Sequence, residues 1–258
     1  MKKYELTAEF IEKWGKKLFR IKALISFGSV EAGELGGYVE KEDNLAQTGN
    51  AWVSGDARVY GDAWVSGNAE VYGDARVCGD ARVYGDARVY GDARVCGDAW
   101  VSGDARVYGD AWVSGNAWVS GNARVYGNAR VYGNARVYGD AEVYGDARVY
   151  GDARVCGDAR VCGDARVYGD AWVSGDAWVS GDAWVSGDAD YLLIGRIGSR
   201  FSFTTFFKNK DKGITVSCGC FLGTIAEFRA KVTDTHGNNK HAKMYNLAAD
   251  MAELQILG

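Results

Sequence analysis

From Gly49 to Ala189 the chain repeats G-[DN]-A-x-V-y every six residues without a break. Glycine recurs 24 times at that spacing, alanine 24 times and valine 23 times, so not one inserted residue disturbs the frame. A period of six is too short for a helix-turn unit. Within A-x-V-y the alanine and valine alternate with variable residues, which puts them on one face of a strand. The Gly-Asp or Gly-Asn pair is turn chemistry, with glycine free to adopt positive φ. Each hexad is therefore predicted to be a short strand and a corner. Stacked in parallel, the hexads form a β-solenoid with Val and Ala inside and the x and y residues outside.

The flanks have ordinary mixed composition and hold all the lysines and both histidines. Three segments are expected: an N-terminal β-hairpin cap (1–48), the hexapeptide-repeat solenoid (49–189) and a small C-terminal α+β domain (190–258). A parallel stack leaves unpaired backbone groups at both ends, and the flanks are placed to close them. YELTAEFIEKWGKKLFRIKAL reads as a hairpin, and GGYVEKEDNL as a degenerate first rung with Val39 and Leu45 pointing inward. DYLLIGRIGSRFSFTTFF and GITVSCGCF suggest two or three strands. Thr224 and Glu227 form a capping-box pattern that opens a helix through Ile225, Phe228 and Val232. Gly237 stops it, and a second helix places Met244, Leu247, Met251 and Leu254 along one stripe.

Aspartate and asparagine trade places at the corner, asparagine standing at 50, 68, 116, 122, 128 and 134. The exchange suggests a side-chain oxygen that bonds a nearby backbone N–H and needs no charge. It also argues against a calcium site, which would bring a Gly-Gly-rich nonapeptide pattern that is missing.

The repeats resemble the hexapeptide family of left-handed parallel β-helices. The likeness rests on the aliphatic position and the small residue four later, across about 140 residues. It departs at the residue after valine, here Tyr, Ser or Cys. Three hexads per triangular coil follow from the resemblance, giving about eight coils and a stack roughly 38 Å long at ~4.8 Å per rung. A flatter two-hexad coil would be filled by Val and Ala just as well. AGELGGYVEKEDNL paired with CGCFLGTIAEF resembles, more narrowly, uncharacterised repeat proteins of bacteria, phages and prophages.

The outward positions vary together. Each repeat Trp (52, 64, 100, 112, 118, 172, 178, 184) is followed two residues later by Ser, and each Arg or Glu there by Tyr or Cys. Packing of a large residue beside a small one explains this, and so does duplication of whole units. Cysteines 78, 96, 156 and 162 occupy the Tyr position, where a single base change separates the two codons. On a three-hexad coil Cys78 and Cys96 fall on adjacent rungs, with a strained pairing the most expected of them. The same coil stacks Tyr72, Tyr90, Tyr108, Tyr126 and Tyr144 as a ladder. Beside it run Arg88, Arg106 and Arg124, flanked by Glu70 and Glu142. Stacked aromatics and opposite charges stabilise neighbouring strands. Trp, Tyr and Arg also anchor interfaces or grip sugars and bases, so this ladder is a candidate binding surface.

Function classes narrow accordingly. Residues 49–189 carry 13 Arg against 18 Asp and two Glu, and corner carboxylates repel a phosphate backbone, which disfavours nucleic acid. Acyltransferases of the resembled family generally use a histidine base, and its carbonic anhydrases hold zinc with histidines. This solenoid has no histidine and no interrupting loop, so catalysis is not carried over to it. In the C-terminal segment Cys218, Cys220, His236 and His241 combine two thiols with two imidazoles. That set suits a structural zinc, although C-x-C and H-x₄-H are only loosely finger-like and plain turn residues would read the same. GRIGS (195–199) hints at a phosphate turn, weakly without a following helix. No run of about 18 apolar residues suggests a membrane span. MKKYELTAEFIEKWGKK has no apolar core segment after its lysines, and with six cysteines this reads as a cytoplasmic protein with reduced thiols. The expectation is a non-enzymatic structural or interaction protein, a homo-oligomer or bound to a protein partner. A module gripping a small molecule or glycan is the alternative.

Overall fold

The computed structural model describes all residues, 1–258. Every hexad from Trp52–Val53 to Trp184–Val185 contributes a two-residue strand made of x and V. Each strand pairs in parallel with the one 18 residues further on, as in Arg88↔Arg106 and Val89↔Val107. Three hexads therefore make one coil, and the repeats form about eight coils with three parallel sheets as walls. Three walls rule out the flatter two-hexad coil. The first face runs from Arg58–Val59 to Trp184–Val185, the second from Trp52–Val53 to Trp178–Val179, and the third from Trp64–Val65 to Trp172–Val173. All the repeat valines from Val53 to Val185 and alanines from Ala51 to Ala183 are fully buried. They form one continuous apolar core from Tyr4 at one end to Phe207 at the other.

The corner glycines from Gly49 to Gly181 all have φ between +63° and +74°. The neighbouring Asp/Asn position works differently from expectation. All six asparagines donate Nδ2 to the carboxylate or amide oxygen one coil ahead, from Asn122 to Asp140 at 2.9 Å to Asn128 to Asp146 at 3.2 Å. The side chain thus bonds across rungs, because the in-register stack brings its counterpart closer than any free backbone N–H.

The two ends need opposite chemistry. The x and y N–H groups of each rung donate to alanine and valine carbonyls of the following rung, as in Trp64 to Ala81 and Ser66 to Val83, so the first coil is left with spare Ala and Val carbonyls and the last with spare x and y N–H groups. At the first coil β1 (Tyr4–Lys13), β2 (Lys16–Ala23) and β3 (Leu35–Val39) extend the first face, with Tyr38 of β3 donating to Ala57 and Glu40, just after it, to Val59. The second face is closed by the Lys3 ammonium, 2.8 Å from the Ala51 carbonyl. On the third face the Asn44 amide reaches the Ala63 carbonyl at 2.8 Å. Val39 pairs with Val59 and Leu45 with Val65, both buried, as the degenerate first rung predicts. At the last coil acceptors take over. The Asp188 carboxylate receives the Trp172 N–H at 2.8 Å, the Thr205 hydroxyl oxygen that of Trp178 at 3.0 Å, and Asp190 that of Ser186 at 2.8 Å.

Lys3 carries a measurable consequence. It is 1% exposed, and burial pulls its ammonium down from the usual lysine range to about 8. Between pH 8 and the unfolded value near 10.5 the unfolded chain binds more protons than the folded one, so stability rises with pH across that window. At still higher pH Tyr72, Tyr108 and Tyr126 act the other way, since burial raises them and the unfolded chain ionises first. Denaturant titrations should show the unfolding free energy of the wild type rising by about 1–2 kcal/mol relative to that of Lys3→Met from pH 7.5 to 9.5. Parallel curves for the two proteins would show that Lys3 keeps its ordinary lysine value.

The C-terminal segment has four antiparallel strands where two or three are expected: β4 (Tyr191–Ile197), β5 (Ser202–Lys208), β6 (Ile214–Cys218) and β7 (Phe221–Thr224). The extra one arises because Gly219, at φ +61°, lets Cys218 and Phe221 pair across a two-residue hairpin turn. Helix α1 (Ile225–His236) opens with the capping box, Glu227 N–H to Thr224 Oγ1 at 3.2 Å and Thr224 N–H to Glu227 Oε2 at 2.8 Å. Helix α2 (Lys240–Ile256) buries Ala242, Tyr245, Ala248, Ala249, Ala252 and Ile256. The stripe of Met244, Leu247, Met251 and Leu254 faces outward. GRIGS makes no phosphate turn, because no helix follows it; Gly198 is where Tyr245 packs, and a Cβ there would overlap the phenol.

Candidate functional site

The outward surface is set by register. On the second face Tyr72, Tyr90, Tyr108, Tyr126 and Tyr144 stack at ring spacings of 4.8, 4.9, 4.9 and 5.0 Å, with planes within 5° of parallel. Arg88, Arg106 and Arg124 run beside them; Arg88 meets Glu70 at 3.5 Å and Arg124 meets Glu142 at 3.4 Å. Sequence reasoning therefore places every member of this ladder correctly in space. It overlooks a second ladder on the first face, Tyr132, Tyr150 and Tyr168, at 4.9 and 5.2 Å. The same 18-residue spacing would have found it.

Stacking changes the chemistry of these phenols. Burial pushes Tyr126 up to about 12, and the Glu142 carboxylate adds to the effect. Burial raises Tyr72 and Tyr108 as well, each helped by its neighbour Tyr90. They are neutral hydroxyls across the physiological range. Each inner ring has both faces covered by other tyrosines, so only ring edges and hydroxyls meet solvent.

The tryptophans lean across rungs. Trp118 donates Nε1 to Ser102 at 3.4 Å, Trp172 to the Cys156 sulfur at 3.1 Å, and Trp178 to that of Cys162 at 3.3 Å. Cys156 and Cys162 are buried beneath these indoles. A small y residue thus accommodates the Trp of the next coil, which gives these two cysteines a packing role beyond codon drift. At several rungs where arginine and tryptophan are neighbours on a face the guanidinium lies over the indole, as in Arg82–Trp100 at 5.2 Å and Arg166–Trp184 at 5.0 Å. The solenoid surface is built from repeating Trp, Arg and Tyr, as an interaction surface would be.

Cys78 and Cys96 form a disulfide, where reduced thiols are expected. They hold the y position on successive rungs of the first face, and in-register pairing sets their Cα atoms 4.6 Å apart, within disulfide range. The other four cysteines are free.

In the C-terminal domain Cys218, Cys220 and His236 border a cleft of ≈ 230 Å³ with Arg200, Lys231 and Tyr245. Cys218 sulfur accepts from Thr204 Oγ1 at 3.2 Å, and Tyr245, which burial and then Cys218 push up, stacks on His236 at 5.8 Å. His241 lies 5.9 Å from His236, ring to ring, and does not line the cleft. These four residues do not compose a zinc site: nowhere do three or more His, Cys, Asp or Glu side chains gather so as to hold a metal ion. The reason is placement, since Cys220 is out on the hairpin tip and His241 beyond the helix break. No helix is long and apolar enough to cross a membrane.

The YdcK beta solenoid repeat model matches the chain at residues 51–67, in overlapping stretches from 75–91 to 141–157, and at 159–175. These matches lie inside the repeats and cover less than half of the chain. They make it similar to a solenoid family other than the hexapeptide one its motif resembles. No curated protein matches the chain.

Proposed function

We propose that the chain is a non-enzymatic structural or interaction protein whose solenoid faces contact a protein partner and which self-associates. The single observation behind this is the covered ladder: Tyr90, Tyr108 and Tyr126 have no free ring face on which a sugar or base could stack. What they offer is a rigid strip of hydroxyls, ring edges and guanidinium groups, suited to a flat protein surface. A solenoid without histidine or pocket-forming loops supports the non-enzymatic part. Kinship with the left-handed hexapeptide helices, and with phage or prophage repeat proteins, belongs to the same reading on the motif alone. So does a cytoplasmic location, which rests on the four free thiols against the one Cys78–Cys96 pair.

Native mass spectrometry of the gently purified chain tests the reading. The expected spectrum shows more than one chain per assembly and no organic adduct. Tyr108→Ala and Arg106→Ala should leave it unchanged, costing at most about 1–2 kcal/mol of stability through lost stacking. An adduct that disappears in Tyr108→Ala would replace the reading with a ligand-binding module. Turnover of an acyl donor would overturn the non-enzymatic part.

A further inference from the structure

Helix α2 is apolar on two sides. One side, rich in alanine, is buried within the domain. On the other, Met244, Leu247, Met251 and Leu254 stand 39%, 63%, 55% and 76% exposed. Their steps of three, four and three residues are the a/d spacing of a coiled-coil seam, and nothing in the chain covers it. An uncovered row of large apolar side chains on one helix is the mark of an association surface.

Charge selects the occupant and its direction. Lys240 and Lys243 sit in the first turn of α2, and neither is ion-paired within the chain. Asp250 and Glu253 sit towards its other end and share one cation, Arg229, at 2.7 and 2.9 Å. One carboxylate charge is left unmatched there. Two such helices laid parallel would set lysine beside lysine and acid beside acid. Laid antiparallel, Lys243 of each copy approaches the Asp250–Glu253 end of the other. The patch is complementary to itself under a two-fold axis, as a closed dimer requires.

We propose that α2 is a self-docking surface, on which a second copy of this chain lays its own α2 antiparallel along the Met244–Leu254 seam. The proposal rests on the self-association reading above and locates it away from the solenoid faces. With four large side chains per copy on a helix of 17 residues, the interface is at the small end of specific ones. A dissociation constant on the order of micromolar follows.

Sedimentation velocity of the full chain over roughly 1 to 100 µM, which brackets that constant, provides the test. The wild type should pass from monomer to dimer across the range. Leu247→Lys combined with Met251→Lys should stay monomeric throughout, with an unchanged circular dichroism spectrum and melting temperature. Lys243→Glu should weaken the dimer at least tenfold, and adding Glu253→Lys in the same chain should restore it. A dimer that survives the double lysine variant overturns the α2 proposal and leaves self-association to the solenoid faces. A wild type that is monomeric at every concentration overturns both. A dimer indifferent to Lys243→Glu overturns the antiparallel arrangement.

Discussion

Replacing Val107 with aspartate should cost at least about 5 kcal/mol of stability at pH 7, measured by denaturant unfolding. Val107 is fully buried, and its neighbours along the stack are Val89 and Val125. No side-chain donor enters the core at that level, and the backbone N–H groups there are already paired with the adjacent rungs. The carboxylate would therefore fold in its neutral form, with its acidity pushed far below that of the unfolded chain. Such a group makes stability fall as pH rises through the unfolded value near 4, so the loss should be smaller at pH 3.5 than at pH 7. Val107→Ala, which leaves only a cavity, should cost about 2–3 kcal/mol with no such pH dependence. Equal losses for the two variants would mean that water reaches the core.

Gly121→Ala is expected to cost about 3 kcal/mol, although it adds a single methyl group at the surface. Gly121 has φ +67°, a conformation unfavourable for any residue with a Cβ. That Cβ would also lie 2.9 Å from the backbone N of Gly139 one coil ahead, and backbone cannot swing aside as a side chain does. At the adjacent residue, Asn122→Asp should cost under about 1 kcal/mol, since it exchanges one exposed bond to Asp140 for a screened like-charge contact. Thermal unfolding of both variants tests the contrast. A Gly121→Ala protein as stable as wild type would show that the coils can spread at their corners.

The two predictions draw on the part of the fold most legible in the sequence. Invariant valine and alanine in alternation could only be an inner wall, and invariant glycine every six residues could only be a corner. Val39, Leu45 and the Thr224–Glu227 cap were legible for the same reason, because each is a local pattern with a local cause. The tyrosine ladder followed once a coil of three hexads was assumed. That assumption came from a family resemblance, since the core residues are the same in every hexad and satisfy two walls or three equally.

Other features depended on what lies 16 to 18 residues away or across the domain. The asparagines bond to the next coil, Cys156 and Cys162 lie under indoles, and Cys78 and Cys96 pair because register brings them together. The structure does not gather the zinc set into a group of three metal-ligating side chains, which spacing along a chain does not report when Cys220 lies in a hairpin turn and His236 and His241 flank a helix break.

By itself the sequence determined the repeat unit, its inner and outer faces, and the places where regular structure stops, because strand alternation, positive φ and helix capping act over a few residues. Only the tertiary structure decided which chemical groups close each end of the stack. Lysine and asparagine meet the carbonyls of the first coil, and aspartate and threonine meet the N–H groups of the last, because the x and y N–H groups of every rung point the same way along the stack. It also decided that α2 turns its alanines inward and its methionines and leucines outward. Helical periodicity marks both stripes, and close packing within a small domain favours the one with the smaller side chains.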